Sequence, residues 1–417
     1  MSSRTSTSSR RAFLSGAAAV SAYFWIPKRV KGYSTPEMLA MTTSDNKVSP
    51  GISKWDLDTP ALCVDLDKME RNIAKMQATV KANGIASRPH SKTHKCAAIA
   101  RYQIATGSVG ICCAKVSEAE AMLEHGVEKV LMTTSNPSPH KIRRAMNIRK
   151  FNSSFIQAVD QEQNARDLSA AAREAGVVAD VVIDVAVGTR SGIPPGEGAV
   201  ALAKLVDKLP NLKLRGMLAY DGGAQHVKGF AARKERALKN IEPNAETFAM
   251  MKRAGLNMEI FSGGGSGTYN IDHVTPGFTD VQVGSYIFMD MQYLAIGSQD
   301  DPNVYTDFET SLTVLVTILN DRFPGRLTAD GGAKAFTLNK PNAGVIGEPG
   351  MDYNAGSDEF GAITITGTPT KTYKIGDKLE CIVPHCDPAV NEYDWIYGTR
   401  KDKVEVIWPI TGRGHSQ

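Results

Sequence analysis

Several features that would direct a functional assignment are absent from the 417-residue sequence. Its six cysteines include no C-x-x-C pair, so we expect buried free thiols rather than a disulfide framework. No glycine-rich segment is followed by Gly-Lys-Ser or Gly-Lys-Thr, which excludes a P-loop. Internal repeats and low-complexity segments are also absent after the N-terminal tail. A repeat architecture is therefore excluded.

Strong charge of one sign is missing from most of the chain. Residues 1–40 carry six basic side chains against one acidic side chain, whereas the whole chain carries only +4. The remaining residues are therefore close to neutral as a group. A body without bulk basic character does not predict a nucleic-acid partner.

A long apolar run is likewise missing at the N-terminus. The stretch Ser8-Ser9-Arg10-Arg11-Ala12-Phe13-Leu14 is typical of a twin-arginine export signal, and a short apolar stretch follows it. That stretch is shorter than the roughly 20 apolar residues of a membrane span. Residues 1–45 therefore predict a signal and linker, periplasmic localisation and no stable membrane insertion after signal removal. An uncleaved anchor, or a chance arginine pair in a cytoplasmic protein, is the alternative.

Alternating strand-like and helix-like runs fill the middle of the chain. Apolar residues at Met69, Ile73, Met76 and Val80 have helical spacing over 68–83. Eight short strand candidates then alternate with amphipathic stretches, which predicts an α/β fold, a (β/α)8 TIM-type barrel over residues 46–304. The eight candidates are 86–90, 110–113, 129–134, 155–160, 178–185, 215–220, 260–264 and 281–288.

The sequence pattern changes near residue 305, beyond which apolar residues no longer recur at helical spacing. Short strand candidates divided by Gly, Pro and Asp turns predict an all-β domain over residues 305–417. These candidates are 311–319, 326–330, 362–366, 378–383 and 404–409.

Three segments carry residues suited to chemistry. Arg88-Pro89-His90-Ser91-Lys92-Thr93-His94-Lys95 ends the first barrel strand, and basic neighbours there would disfavour the charge of Lys92, as imine chemistry requires. Ser262-Gly263-Gly264-Gly265-Ser266-Gly267-Thr268 follows the seventh strand and suits phosphate binding. Pro384-His385-Cys386-Asp387-Pro388 places an imidazole and a carboxylate two residues apart, and on an extended segment both would face one divalent metal. A solvated basic loop, a flexible turn and a structural pair are the respective alternatives.

Together these segments resemble the D-threonine aldolase and D-serine dehydratase group of fold-type III, alanine-racemase-like pyridoxal-phosphate (PLP) enzymes. Further marks of the resemblance are Asp58-Thr59-Pro60-Ala61, Gly284-Ser285-Tyr286 and Gly347-Glu348-Pro349-Gly350. The pair reads His385-x-Asp387, which resembles the aldolase branch; the dehydratase branch has His-x-Cys. Ala114, Asp221 and Phe360 depart from the family pattern.

The resemblance implies a role for each site residue. Lys92 would carry PLP, with His90 close by, and Gly264, Gly265 and Ser266 would hold its phosphate. Tyr220 and Arg190 would lie beside the pyridoxal ring. His385 and Asp387 would bind Mn²⁺, or Mg²⁺, Co²⁺ or Zn²⁺, and His226 would stand near the substrate's β-hydroxyl. A homodimer is also implied.

The activity implied is retro-aldol cleavage of D-threonine and related D-β-hydroxy-α-amino acids to glycine and an aldehyde. Three alternatives remain open at this point. A dehydratase would use the same groups to form a keto acid and ammonia. A PLP-homeostasis protein would need neither the β domain nor the metal pair, and a racemase would need a second acid or base such as Tyr353.

Overall fold

The structure, a computed structural model, describes residues 32–48 and 50–417. The predicted export signal lies within residues 1–31, outside the described residues, and stays a prediction, as does the homodimer. Within the described part of the chain, no helix combines the length and apolarity needed to cross a membrane.

The N-terminal part of the described chain belongs to the second domain. Helix α1 (Thr35–Ala40) and the extended segment after it lead to strand β1 (Ala61–Asp65), which is followed directly by helix α2 (Leu66–Ala82). The Asp65 side chain accepts the Lys68 backbone N–H and caps α2, whose apolar residues at the predicted spacing are buried. Helix α2 thus connects the two domains.

Eight parallel strands form the barrel, in agreement with the predicted fold. Their hydrogen-bonded order is β2-β9-β8-β7-β6-β5-β4-β3, and a parallel bridge between His90 and Cys112 joins the two ends. Each observed strand overlaps one of the eight predicted candidates. The strands are β2 (Ala86–Ser87), β3 (Ile111–Cys113), β4 (Val130–Met132), β5 (Ile156–Val159), β6 (Ala179–Asp184), β7 (Leu212–Ala219), β8 (Ile260–Gly263) and β9 (Asp280–Val281).

Helices cover the outside of this barrel and bury their apolar faces against it. Cys112 packs in the barrel interior and Cys113 in the core outside it, as expected for neighbours on one strand. All six cysteines are buried and free, which confirms the thiol prediction. The helices are α3 (Ala97–Ala105), α4 (Val116–Glu124), α5 (Pro139–Phe151), α6 (Glu162–Ala175), α7 (Glu197–Lys208), α8 (Phe230–Arg253) and the short α9 (Met291–Leu294).

The second domain is an antiparallel β structure in which six strands close a ring. The ring runs β10-β11-β14-β13-β12-β15 and back to β10, and β1, β16 and β17 extend the sheet from β10. Short helices α10 (Ala333–Phe336) and α11 (Cys386–Val390) lie between strands. The strands are β10 (Leu312–Asn320), β11 (Arg326–Ala329), β12 (Ala343–Val345), β13 (Met351–Asn354), β14 (Gly361–Ile365), β15 (Lys378–Ile382), β16 (Trp395–Arg400) and β17 (Lys403–Pro409).

The predicted domain boundaries need one correction. Residues 46–304 were assigned to the barrel, but β1 pairs antiparallel with β10 and parallel with β16. Lys47 and Ser53 also bridge to β17. The apolar pattern of β1 identifies a buried strand without identifying its partner, so the sequence could not assign it to a sheet.

Candidate active site at the barrel mouth

A cavity of about 320 Å³ opens at the carboxyl ends of the barrel strands. Its walls come from residues at or just after the ends of the strands, where a barrel of this kind places its reactive groups. Of the predicted site residues, the structure brings His90, Lys92, Arg190, Tyr220, Gly265 and Ser266 together in this wall. These residues are up to 176 positions apart in the sequence and meet only because the barrel closes.

Lys92 lies in a single 3-10 turn, Ser91–Thr93, that follows strand β2. His90 sits immediately before the turn, and its Nδ1 accepts the Lys92 backbone N–H at 3.3 Å. The Lys92 ammonium forms an ion pair with Asp387, which comes from the second domain. The Lys92 side chain is therefore held between the two domains.

The prediction that its neighbours disfavour the positive charge of Lys92 is wrong. The Asp387 carboxylate outweighs burial and raises the pKa of Lys92 well above its usual range. The two neighbouring histidines are neutral, because burial lowers the pKa of His90 to about 3 and that of His94 to about 4, and Arg88 is paired with Asp280. Lys95 turns its ammonium away to Asn391. Lys92 is thus protonated in the structure described here.

The His385–Asp387 segment differs from the extended pair that the sequence predicted. Only His385 is extended, and helix α11 begins at Cys386. Asp387 therefore points to Lys92, whereas His385 Nδ1 lies 2.8 Å from Asp290 Oδ2. Cys386 lies with Asp290 and His385 in a group whose ligand atoms are all within 4.8 Å of one another.

The donor atoms of this group suit a divalent cation. Asp290 is fully buried and holds His385 through Nδ1, the arrangement that typically orients a metal-binding imidazole with Nε2 as donor. Burial raises the pKa of the Cys386 thiol well above its ordinary value. Burial opposes the charge of Asp387, but Lys92 and His385 outweigh it and lower the pKa of that carboxyl. The clustered donors are therefore the His385 imidazole, the Asp290 carboxylate and the Cys386 thiol, whereas Asp387 lies outside this group and pairs with Lys92.

The glycine-rich loop after β8 packs closely against its support and places Gly265 and Ser266 in the cavity wall. A Cβ at Gly264, where φ is +61°, would lie 2.1 Å from Asp272 Oδ2, and one at Gly265 would lie 2.7 Å from Gln225 Oε1. Only glycine therefore allows the backbone to lie this close to its support. Ser266 Oγ accepts the Tyr286 N–H at 2.9 Å and can still donate its own hydrogen. The loop fits an anion at the cavity wall.

Tyr220 and Arg190 form a second wall. The Arg190 guanidinium carbon lies 5.0 Å from the centroid of the Tyr220 ring, a stacked arrangement suited to packing beside a flat heterocycle. Burial raises the pKa of Tyr220, so its phenol stays protonated. Asp184 lines the same wall, and burial together with Asp160 raises its pKa to about 6.

His226 lies at the rim of the cavity rather than in its wall. Its ring packs on Tyr293, with 4.6 Å between centroids, and Tyr293 does line the cavity. Burial lowers the pKa of His226, even though Asp290 opposes the shift. The imidazole is consequently neutral at physiological pH and able to accept a proton.

Asp290 is the functional candidate that sequence reasoning missed. Its Oδ1 accepts the Tyr293 N–H at 2.9 Å and caps α9, so the position before that helix carried a recognisable capping signal. Its second oxygen accepts the Cys386 N–H at 3.0 Å and contacts His385. Nothing in the local sequence indicates that contact, because 95 residues separate the two partners.

Comparison with known proteins identifies relatives of both domains. Residues 64–292 match the alanine racemase, N-terminal domain family, and residues 311–399 match the putative serine dehydratase domain. The chain is 35% identical to 3-hydroxy-D-aspartate aldolase of Paracoccus denitrificans (strain Pd 1222) over 88% of this chain and 94% of that protein. It is 33% identical to D-threonine aldolase of Arthrobacter sp over 88% of this chain and 96% of the relative.

A solved structure extends the comparison to three dimensions. The crystal structure of D-threonine aldolase from Filomicrobium marinum is similar with a TM-score of 0.82 and 33% identity, covering 87% of this chain and 98% of that one. The fold of the barrel and of the β domain is therefore shared over most of the chain. The chain belongs to the D-threonine aldolase-like group of the alanine racemase-like, fold-type III family.

Proposed function

We propose that this protein is a PLP- and divalent-metal-dependent aldolase that cleaves D-threonine and related D-β-hydroxy-α-amino acids to glycine and an aldehyde. The observation that carries the proposal is the position of Lys92. This lysine lies in the turn after strand β2, contacts Asp387 of the second domain, and lines the same cavity as the glycine loop. Lyase activity on D-hydroxyamino acids is also the activity of the relatives at the level of the family.

The proposed cofactor-binding residues lie in three parts of the cavity wall. Lys92 would hold PLP covalently, Gly264 to Ser266 would bind its phosphate, and Arg190 with Tyr220 would pack beside its ring. PLP, when bound, supplies an electron sink for the pair released from the Cα–Cβ bond. The walls keep the cofactor fixed while the substrate enters from the mouth.

The metal-binding side of the site comes from the second domain and from the end of the barrel. His385 and Asp387 would hold the ion, with Asp290 fixing the His385 ring. A divalent ion, when bound, supplies Lewis-acid assistance that lowers the pKa of a coordinated hydroxyl. His226, whose pKa is lowered by burial and whose ring packs on Tyr293 of the cavity wall, would accept the β-hydroxyl proton.

Product identification tests the proposal directly. The protein is incubated with PLP, Mn²⁺ and D-threonine, and in parallel with D-3-hydroxyaspartate. We expect glycine with acetaldehyde from D-threonine, and glycine with glyoxylate from D-3-hydroxyaspartate. L-Threonine serves as the stereochemical control, and removal of the metal by EDTA should abolish cleavage until Mn²⁺ is restored.

A dehydratase would give different products from the same substrates. 2-Oxobutanoate and ammonia from D-threonine would overturn the aldolase proposal, because they retain all four carbons in one product. The ratio of the kcat/KM values for the two D substrates then shows which substrate side chain the active site prefers. We expect D-threonine to be cleaved; cleavage of D-3-hydroxyaspartate alone would make that part of the proposal wrong.

A further inference from the structure

Residues 411–414, which follow β17, leave the second domain and lie against the loop that carries Lys92. The Gly412 N–H donates to the Lys95 carbonyl at 2.8 Å. The Thr411 hydroxyl donates to the same carbonyl at 3.2 Å and accepts the Ala97 N–H at 3.1 Å. Three hydrogen bonds thus hold the backbone immediately after the reactive lysine. We call residues 411–414 the clasp.

The clasp also contacts the segment that carries Asp387. Asn391 follows helix α11, and its Oδ1 accepts both the Lys95 ammonium and the Gly414 N–H, each at 3.0 Å. One side-chain oxygen therefore joins the loop of Lys92, the clasp and the helix whose first turn contains Asp387. The relative position of the two partners of the Lys92–Asp387 ion pair depends on this junction.

The backbone of Lys95 explains why such support is needed. Its φ is +48°, in the left-handed region that residues with a Cβ adopt at a cost. Strained conformations of this kind persist only where the surroundings hold them. The Lys95 N–H is fixed within the loop by the Ser91 carbonyl at 2.6 Å, and its carbonyl is fixed by the clasp. The two together hold the turn that presents Lys92.

We propose that the clasp positions Lys92 for cofactor attachment, and that Thr411 is a positioning residue of this site. The proposal rests on the proposed function, since it assigns PLP to Lys92. Thr411 touches neither the cavity wall nor a predicted metal ligand and acts only through the Lys95–Ala97 backbone. Its removal should change how tightly the cofactor is held without removing a group that contacts it.

Equilibrium dialysis of the holoenzyme gives the dissociation constant of PLP for each variant. Thr411→Val keeps the shape and removes the hydroxyl, and we expect it to raise the dissociation constant about fivefold, the effect of one net hydrogen bond. Thr411→Ser restores the hydroxyl and should bind PLP as the wild type does. Thr106→Val is the matched control, because the Thr106 hydroxyl donates to the Tyr102 and Gln103 carbonyls at the end of helix α3.

The possible outcomes separate the two proposals. An unchanged dissociation constant in Thr411→Val, a Ser variant that fails to restore binding, or an equal loss in Thr106→Val would each overturn the role of the clasp. Thermal unfolding of both Val variants checks that they fold equally well. A wild-type protein that does not bind PLP at all would overturn the proposed function, and this proposal with it.

Discussion

Lys92→Arg lowers kcat for D-threonine cleavage by about 10³-fold or more, the size expected when an essential group of the chemistry is lost. Arginine keeps a positive charge beside Asp387, so the ion pair and the fold around it are retained. Its guanidinium stays protonated and cannot form the bond that a lysine amine forms with an aldehyde. The measurement is steady-state kinetics with saturating PLP and Mn²⁺.

Lys115→Arg makes the same chemical change next to the cavity and serves as the control. Lys115 precedes helix α4 and follows Ala114, which lines the cavity wall. This variant should keep most of the wild-type kcat. If Lys92→Arg retained more than one tenth of the wild-type kcat while folding normally, a lysine other than Lys92 would have to carry the reaction.

Asp290→Asn weakens divalent metal binding by about 10- to 100-fold, the usual cost of removing a carboxylate that orients a metal-binding histidine. The Asp290 oxygens accept from His385 Nδ1, the Cys386 N–H and the Tyr293 N–H. An asparagine has only one oxygen for these donors, and its NH₂ placed against Nδ1 would favour the tautomer with hydrogen on Nε2. Titration of Mn²⁺ into the full chain, followed by calorimetry, measures the affinity.

Asp65→Asn is the control that separates the loss of metal affinity from the effect of changing a helix N-cap residue. Asp65 caps α2 in the same way that Asp290 caps α9, but it has no contact with His385. The Asp65 variant should bind Mn²⁺ with wild-type affinity. Equal affinity of wild type and Asp290→Asn would show that Asp290 does not act through the His385 ring.

The sequence is sufficient to predict the barrel because each of its strands is a short apolar run bounded by turns. Strands such as β6 are buried along their whole length, and the pattern of a parallel strand buried on both faces is local. The β domain is less regular: β12, β13 and β16 have no counterpart among the predicted strands, and β12 and β13 are only three and four residues long. The partner of β1 depends on residues 250 positions away and has no local signature.

The structure brings several of the predicted site residues into one cavity, but the arrangement of the His385–Asp387 segment differs from the predicted one. Lys92 and the glycine loop were identified because strand ends in a barrel meet at one mouth. The charge of Lys92 was wrong because Asp387 is distant in sequence and the nearer histidines are neutral when buried. The His-x-Asp spacing assumed an extended strand, whereas a helix starts at Cys386 and sends the two side chains to different partners.

Chemical trapping shows directly whether Lys92 carries the cofactor. The protein is loaded with PLP, reduced with borohydride and digested, and the modified peptide is identified by mass spectrometry. The structure predicts a single phosphopyridoxyl group on Lys92, with none on Lys95 or Lys115 and none in the Lys92→Arg variant. A modification on another lysine, or an unmodified Lys92 in protein that has bound PLP, would show that Lys92 does not carry the cofactor.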